Sequence, residues 1–319
     1  MTVSRFLACI LVTSLCVLSS CGGSEPATAG GSVASKEAAP APGKGEKPVA
    51  SSSSAGTEAA VPPAPAELRS AVKRLGSTDE FERVAAVMEL GTASGLDHPS
   101  VQQALLQAIQ DPSSDVRAEA AKSLPASLGS QEAARKLTAM MKDDAEISVR
   151  RAAIAALAST QDPSAARLIA DHMAKEKDGT VQLEALIALA HLADPSTLEA
   201  IRPHLVAPEA TRIRAAIQAV MALKAVSEAP TLVGLLNDMS PAVRSTAAEG
   251  LGALGAKDKK TLLALGALLT DEEQQVRKQA ITALRKLTTA DIDYFYDEAD
   301  EKSLKGYARD WVDWIEKNG

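Results

Sequence analysis

His98, His172, His191 and His204 are the residues from which metal binding or proton transfer would have to be built. His172 and His204 occupy almost matching places in successive segments of a repeating chain, one residue apart in register. Packed helices sit about 8–10 Å apart, whereas the ligands of one zinc ion lie about 2 Å from it. No thiol or carboxylate set accompanies the pair in sequence, so packing or surface roles are expected, with no metal and no catalytic residue. The spacing Gly250-x-Gly252-x-x-Gly255 spells a dinucleotide fingerprint but falls at the end of a helical segment. The fingerprint works by presenting free amides at a helix start to a pyrophosphate. It therefore reads as a helix stop, and no cofactor is implied. No Ser/His/Asp set has a nucleophile elbow, and acids such as Glu272 and Glu273 read as turn and first-turn charges.

The elements around these residues repeat. Arg83, Arg117, Arg150, Arg244 and Arg277 share one register with Gln182 and Ile213, at intervals of 34, 33, 32, 31, 31 and 33 residues. After each position a small or apolar residue follows at +3 and +4 and a larger apolar one at +7, as in Ala280, Ile281 and Leu284. A period in this range marks a stacked array whose units bury their apolar faces against neighbours. Leu183, Leu186, Ile187 and Ala190, and Leu168, Ile169 and Met173 before them, have helical spacing. Alanine and leucine dominate and aromatics make up 3%, which suits closely packed helices. The expectation is an all-α chain, an α-solenoid of about seven stacked helix pairs over residues 66–288. The turns, often Asp-Pro as at Asp111, Asp162 and Asp194, place aspartate at an N-cap or mark a helix stop.

A polar relation accompanies the period. Asp111/Arg117, Asp144/Arg150, Asp238/Arg244 and Asp271/Arg277 keep a six-residue spacing. This pattern resembles HEAT repeats, particularly the short bacterial kind named for phycobilisome lyases. The resemblance implies a structural ladder in which each arginine bridges to the aspartate of a neighbouring repeat, because a guanidinium fork satisfies several acceptors at a helix end. Glu176 and Gln182, then Ala207 and Ile213 flanked by Arg212 and Arg214, interrupt the pattern. Two weakened rungs are expected there, with Gln182, Arg212 and Arg214 as candidate partner-binding residues. Some HEAT-type enzymes, such as deoxyhypusine hydroxylase, carry His-Glu pairs that bind two irons. Here the histidines are followed by Pro99, Met173, Leu192 and Leu205.

The two ends have their own texture. Residues 289–319 hold Tyr294, Phe295, Tyr296, Tyr307, Trp311 and Trp314, and residues 291–317 carry nine acids against four bases. Leu304, Tyr307, Ala308, Trp311, Trp314 and Ile315 lie on one helical face. A C-terminal capping helix is expected, resembling the Trp-x-x-Trp endings of other bacterial HEAT-type proteins; Trp311 and Trp314 stacking on a glycan or partner is the alternative. At the other end, Arg5 precedes an apolar run from Phe6 to Leu18, shorter than the roughly 20 residues of a spanning helix. Residues 1–20 read as a signal peptide, and Leu18-Ser19-Ser20-Cys21 resembles the lipobox of bacterial lipoproteins, which implies lipidation of Cys21. Gly22 in place of the inner-membrane aspartate points to the outer membrane. Residues 21–65, rich in Ala, Pro, Gly and Ser, form a linker whose 44 residues after Cys21 reach roughly 35–40 Å as a flexible chain.

A net charge of −7 offers nucleic acid no basic footprint. The sequence thus leads to an exported, lipid-anchored, non-catalytic scaffold of the bacterial cell envelope that binds a protein or peptide. The alternatives are a lyase-like or metal-dependent enzyme on a HEAT scaffold, and glycan binding through the tryptophans.

Overall fold

Apolar residues at +3, +4 and +7 line one side of a helix, and a lone helix pair has nothing to cover that side. The computed structural model shows the chain covering it by stacking. Residues 63–92, 95–297 and 300–319 are described; the signal segment 1–20, Cys21 and the linker up to residue 62 lie outside them.

Among the described residues seven helix pairs follow one another: α1 Arg69–Arg74 with α2 Glu80–Thr92, α3 Pro99–Ala108 with α4 Ser114–Ser127, α5 Ser130–Asp143 with α6 Ile147–Ala158, α7 Ala165–Met173 with α8 Gly179–Leu192, α9 Leu198–Ile201 with α10 Ala210–Ala222, α11 Ala229–Leu235 with α12 Pro241–Leu254, and α13 Lys259–Ala267 with α14 Gln274–Leu287. The helix α15, Glu301–Asn318, ends the stack. No strand occurs among the described residues, and the architecture is an all-α solenoid. Each second helix packs on the second helix of the next pair, from α2 on α4 to α12 on α14. One apolar cluster runs through the whole stack, from Leu68 to Ile315.

Local chemistry sets the helix limits. Ser113, Asp178 and Asp258 cap α4, α8 and α13 by accepting amides of the first turn. Asp194 caps the 3-10 turn Pro195–Thr197 through the Ser196 amide. Asp111 and Asp162, expected at N-caps or at helix stops, follow the ends of α3 and α6 and act as acceptors within the turns: Asp111 takes the Ser113 amide and Asp162 the Ser164 amide, each at 2.8 Å. The first helix of the fifth pair has a single α-helical turn before it tightens into a 3-10 stretch, Arg202–Val206. Pro203 lacks the amide that would continue the α ladder. The last linker residues already belong to the array: Ala64 is buried, and the Pro65 carbonyl accepts the amides of Leu68 and Arg69.

The loops leaving the second helices share a feature with little trace in residue type. Gln161, Ala193, Lys224 and Gly255 all have left-handed backbone, with φ of 58°, 50°, 53° and 71°. All four lie eleven places after the register position of their pair. The same turn is thus made four times, three times without glycine. A left-handed residue with a Cβ costs about 1–2 kcal/mol, partly offset because glycine has more unfolded-state entropy to lose. Ala193→Gly should therefore stabilise the protein by about 0.5–1 kcal/mol net and Gly255→Ala should destabilise it by a similar amount. Urea unfolding midpoints of the two variants should move in opposite directions; a fall for Ala193→Gly would contradict the strain assigned there.

Candidate functional site

The second helix of a pair starts three residues after the turn acceptor, as α4 does after Asp111 and α6 after Asp144, which brings the register arginine back over its own turn. Arg117 shows the full arrangement. Its Nη1 donates to the carbonyls of Asp111 and Pro112 at 2.9 and 3.1 Å, while Nε and Nη2 both meet the Asp144 carboxylate of the next pair at 2.8 Å. One fork thus holds the start of its own helix and the turn of its neighbour. Arg83 with Asp111 and Arg244 with Asp271 repeat the geometry at 2.8–2.9 Å. Each of these aspartates also accepts the amide two residues on, so a single carboxylate orders its turn and receives the fork. The Arg117 fork holds the Asp144 carboxyl below its ordinary range, against a smaller opposing effect of burial.

Glu176 keeps the third rung that a missing aspartate was expected to weaken. Its extra methylene still delivers Oε2 to Arg150 Nε at 2.9 Å, and Oε1 accepts the amides of Lys177 and Asp178. Burial alone would raise Glu176, but the Asp178 amide and the Arg150 fork outweigh it and hold the carboxyl low. At the next position the ladder changes direction. Gln182 Nε2 donates to the Glu176 carbonyl at 2.7 Å, as an arginine would to its own turn. The link between pairs comes from Arg212, which reaches back to Gln182 Oε1 and also pairs with Glu209. Gln182 and Arg212, expected as candidates for partner binding, are occupied with each other. Arg214 is exposed and donates to Thr246 Oγ1 at 3.3 Å.

Ile213 is buried in the core, so the fifth pair sends no fork to Asp238, whose carboxylate takes the Ser240 amide. That junction is bridged on the first-helix side by Arg202 Nε and the buried Glu228 carboxylate at 2.8 Å. The conspicuous signal there was the loss of the register arginine; the compensating pair lies outside the register that marks the other rungs. At the far end Arg277 holds the carbonyls of Asp271 and Glu272 and donates Nε to the Tyr296 carbonyl at 2.9 Å. The cap replaces the missing eighth aspartate with a backbone acceptor.

The aromatic end is a packed cap. Trp311 is 0% exposed, so it presents no face to a glycan or partner, which corrects that candidate role. Its indole is held between apolar groups because α15 covers α13 and the last apolar face of the stack. Trp314 is half-buried against the same core. Tyr294 sits in the core, hydrogen-bonds the Leu269 carbonyl, and burial pushes its hydroxyl up to about 12. The exposed aromatic here is Phe295, 53% accessible and edge-on to Tyr307.

The three glycines and the four histidines have structural places. Gly250 and Gly252 allow close helix packing: a Cβ would lie 2.8 Å from Leu232 Cδ2 at the first and 3.0 Å from the Ala283 Cα at the second. Gly255 is the left-handed cap of α12. His98 caps α3 through the Ser100 amide, and His191 is exposed in the last turn of α8. His172 and His204 are buried, and burial lowers both below the ordinary imidazole range. Among the described residues, no three His, Cys, Asp or Glu side chains come together as a metal site.

With its turns cross-linked by arginine and its second helices stacked in series, the fold defines the class of α-solenoid repeat proteins. HEAT repeats match residues 68–158, 140–222 and 229–314, and the chain belongs to that family. No curated protein sequence matches it. Among solved structures it is similar to YibA of Escherichia coli, with a TM-score of 0.53 and 19% identity over 76% of this chain and 91% of that one. Kap95p, solved with RanGDP, gives 0.51 and 15% over 78% of this chain, which spans 41% of Kap95p. The CpcE–CpcF complex of phycocyanin lyase from Nostoc sp. PCC7120 gives 0.42 and 23%, covering 68% of this chain and 93% of that one. These likenesses describe the fold.

Two outcomes follow for stability. Arg117→Ala leaves Asp144 and two helix-start carbonyls short of a donor, and should cost about 2–3 kcal/mol by chemical unfolding. Acid should act in two windows. As pH falls below 6.5, the unfolded chain protonates His172 and His204 before the folded one does, so stability declines until their lowered native values are passed. A second loss begins as pH falls through 3.8 toward the lowered value of ladder carboxylates such as Asp144. A His172→Gln/His204→Gln variant should flatten the first window and keep the second in a plot of unfolding midpoint against pH.

Proposed function

We propose that this protein is a lipid-anchored scaffold of the bacterial cell envelope that binds a protein or peptide along its second helices and performs no catalysis. The observation that carries this reading is a stripe. The residue five places after the register position is exposed in all seven pairs, from Met88 through Ala155 and Ile187 to Thr282. Against a scaffold that repeats, this stripe changes from thioether to amine, methyl, alkyl, amide, carboxylate and hydroxyl. A surface whose frame is periodic and whose chemistry is individual suits recognition of one extended partner. HEAT solenoids commonly bind proteins, and Kap95p was solved with one. Fold alone does not assign an activity, and the rung residues are engaged in holding the stack.

The envelope part of the reading rests on the lipobox-like Leu18-Ser19-Ser20-Cys21 and the linker behind it. Among the described residues no helix is long and apolar enough to cross a membrane. The resemblance to a lipobox assigns attachment to lipid on Cys21, with several acyl chains giving a lasting anchor. The wild-type chain should sediment with membranes and Cys21→Ser should not. A photo-crosslinker at Ile187 should capture one defined protein from cells making the anchored form. A membrane-bound Cys21→Ser protein would refute the anchor, and capture of no protein from any stripe position would refute the scaffold.

A further inference from the structure

We propose that the pocket between the third and fourth helix pairs seats an acidic, apolar-bearing peptide segment of the partner. This rests on the scaffold reading above and assigns the place and chemistry of one contact. The pocket has a volume of about 910 Å³ and lies between the α5–α6 and α7–α8 turns. The corresponding junction of the first two pairs holds about 470 Å³.

The charges around it divide into engaged and free. Asp144 is held by Arg117, Glu176 by Arg150, and the Asp178 carboxylate caps α8 through the Thr180 and Val181 amides. Lys142, Lys175 and Lys177 line the same pocket, are exposed, and make no ion pair among the described residues. Asp171 is the lining carboxylate left without such a partner. Three free ammonium groups against one free carboxylate leave an excess of positive charge that the scaffold does not consume. Lysine heads on flexible stems suit carboxylates presented by a peptide more than a rigid bidentate group.

Two further observations favour a peptide. Ile147, 41% exposed, and the half-buried Leu168 supply an apolar ledge beside the lysines, which a small anion would leave wet. His172 in the pocket wall is 8% exposed, and its Nε2 lies 3.3 Å from Glu176 Oε2 yet makes no hydrogen bond. Buried polar atoms are nearly always satisfied, and this ring nitrogen in the pocket wall is one that the scaffold's own hydrogen bonds leave over. The engaged carboxylates around the rim oppose nucleic acid, which carries one charge at every phosphate.

The test is fluorescence anisotropy of the mature full chain with a short labelled peptide library in which Asp or Glu alternates with apolar residues. A matched library with Lys in the acidic places and inorganic phosphate as competitor complete it. The acidic library should bind, and Lys142→Glu/Lys175→Glu/Lys177→Glu should weaken it by about tenfold or more, as should high salt. A control of equal charge, Lys257→Glu/Lys260→Glu/Lys302→Glu, should leave binding unchanged. Equal loss in both triple variants, equal binding of the lysine library, displacement by millimolar phosphate, or no binding would each overturn the pocket assignment. Capture of a partner through Ile187 alongside any of those results would leave the scaffold reading standing; capture at no position would remove both.

Discussion

The stack depends on one guanidinium making two kinds of contact at once. Apolar burial drives the helices together but has little directional content: alanine and leucine faces can slide or rotate at small cost. An arginine that donates to two carbonyls of its own turn and two oxygens of the next turn is directional at both ends. It fixes the distance from one pair to the next and closes carbonyls that a helix start would otherwise leave to water. The aspartate completes the joint because it is itself locked by the amide two residues on. Translation of one pair past another therefore breaks several charge-assisted bonds together. This is how a core of small residues acquires a defined register.

That joint also explains what could be read in the sequence. Interval and residue type together locate Arg83, Arg117, Arg150 and Arg244, and the +3, +4, +7 pattern locates the buried faces, because both repeat. Everything that holds the middle of the array is singular. Glu176 serves where aspartate usually stands, since a longer side chain reaches the same fork from a turn one residue closer. Arg212 sits one place before the register and points backwards to Gln182, and Arg202 with Glu228 joins two first helices. A period detects what recurs, and a compensation occurs once. The left-handed turns escaped for the opposite reason: they recur at +11 but are written Gln, Ala, Lys and Gly, because tertiary packing enforces a backbone that only the last residue favours.

The tryptophan at the end shows how type and environment separate. Trp311 has the composition of an interface anchor and the position of a plug. Deciding between them required knowing whether α15 folds back on α13, and apolar spacing is the same in both cases. Gly266 on α13 settles the contact: a Cβ there would lie 3.3 Å from Val312 of α15. The two helices pack closely at this point. Arg277 makes the same point from the ladder side, since its fork ends on the Tyr296 carbonyl and so ties the loop before the cap to the last turn.

A ladder of this kind bears on binding because it takes charges out of circulation. Arginines and aspartates at the turns look, residue by residue, like a mixed-charge surface. Once paired, they present little unbalanced field, and what a partner meets is the remainder. That remainder is uneven along the array: free lysines gather at the junction of the third and fourth pairs, and carboxylates exceed bases across residues 291–317. One region lies at the junction of the third and fourth pairs and the other in the cap beyond the seventh, at a spacing the ladder fixes, so an extended partner with charge of one sign near one end and the opposite sign further along could satisfy both in only one direction. Polarity of binding would then follow from the scaffold's periodicity together with the places where the ladder leaves charge unspent.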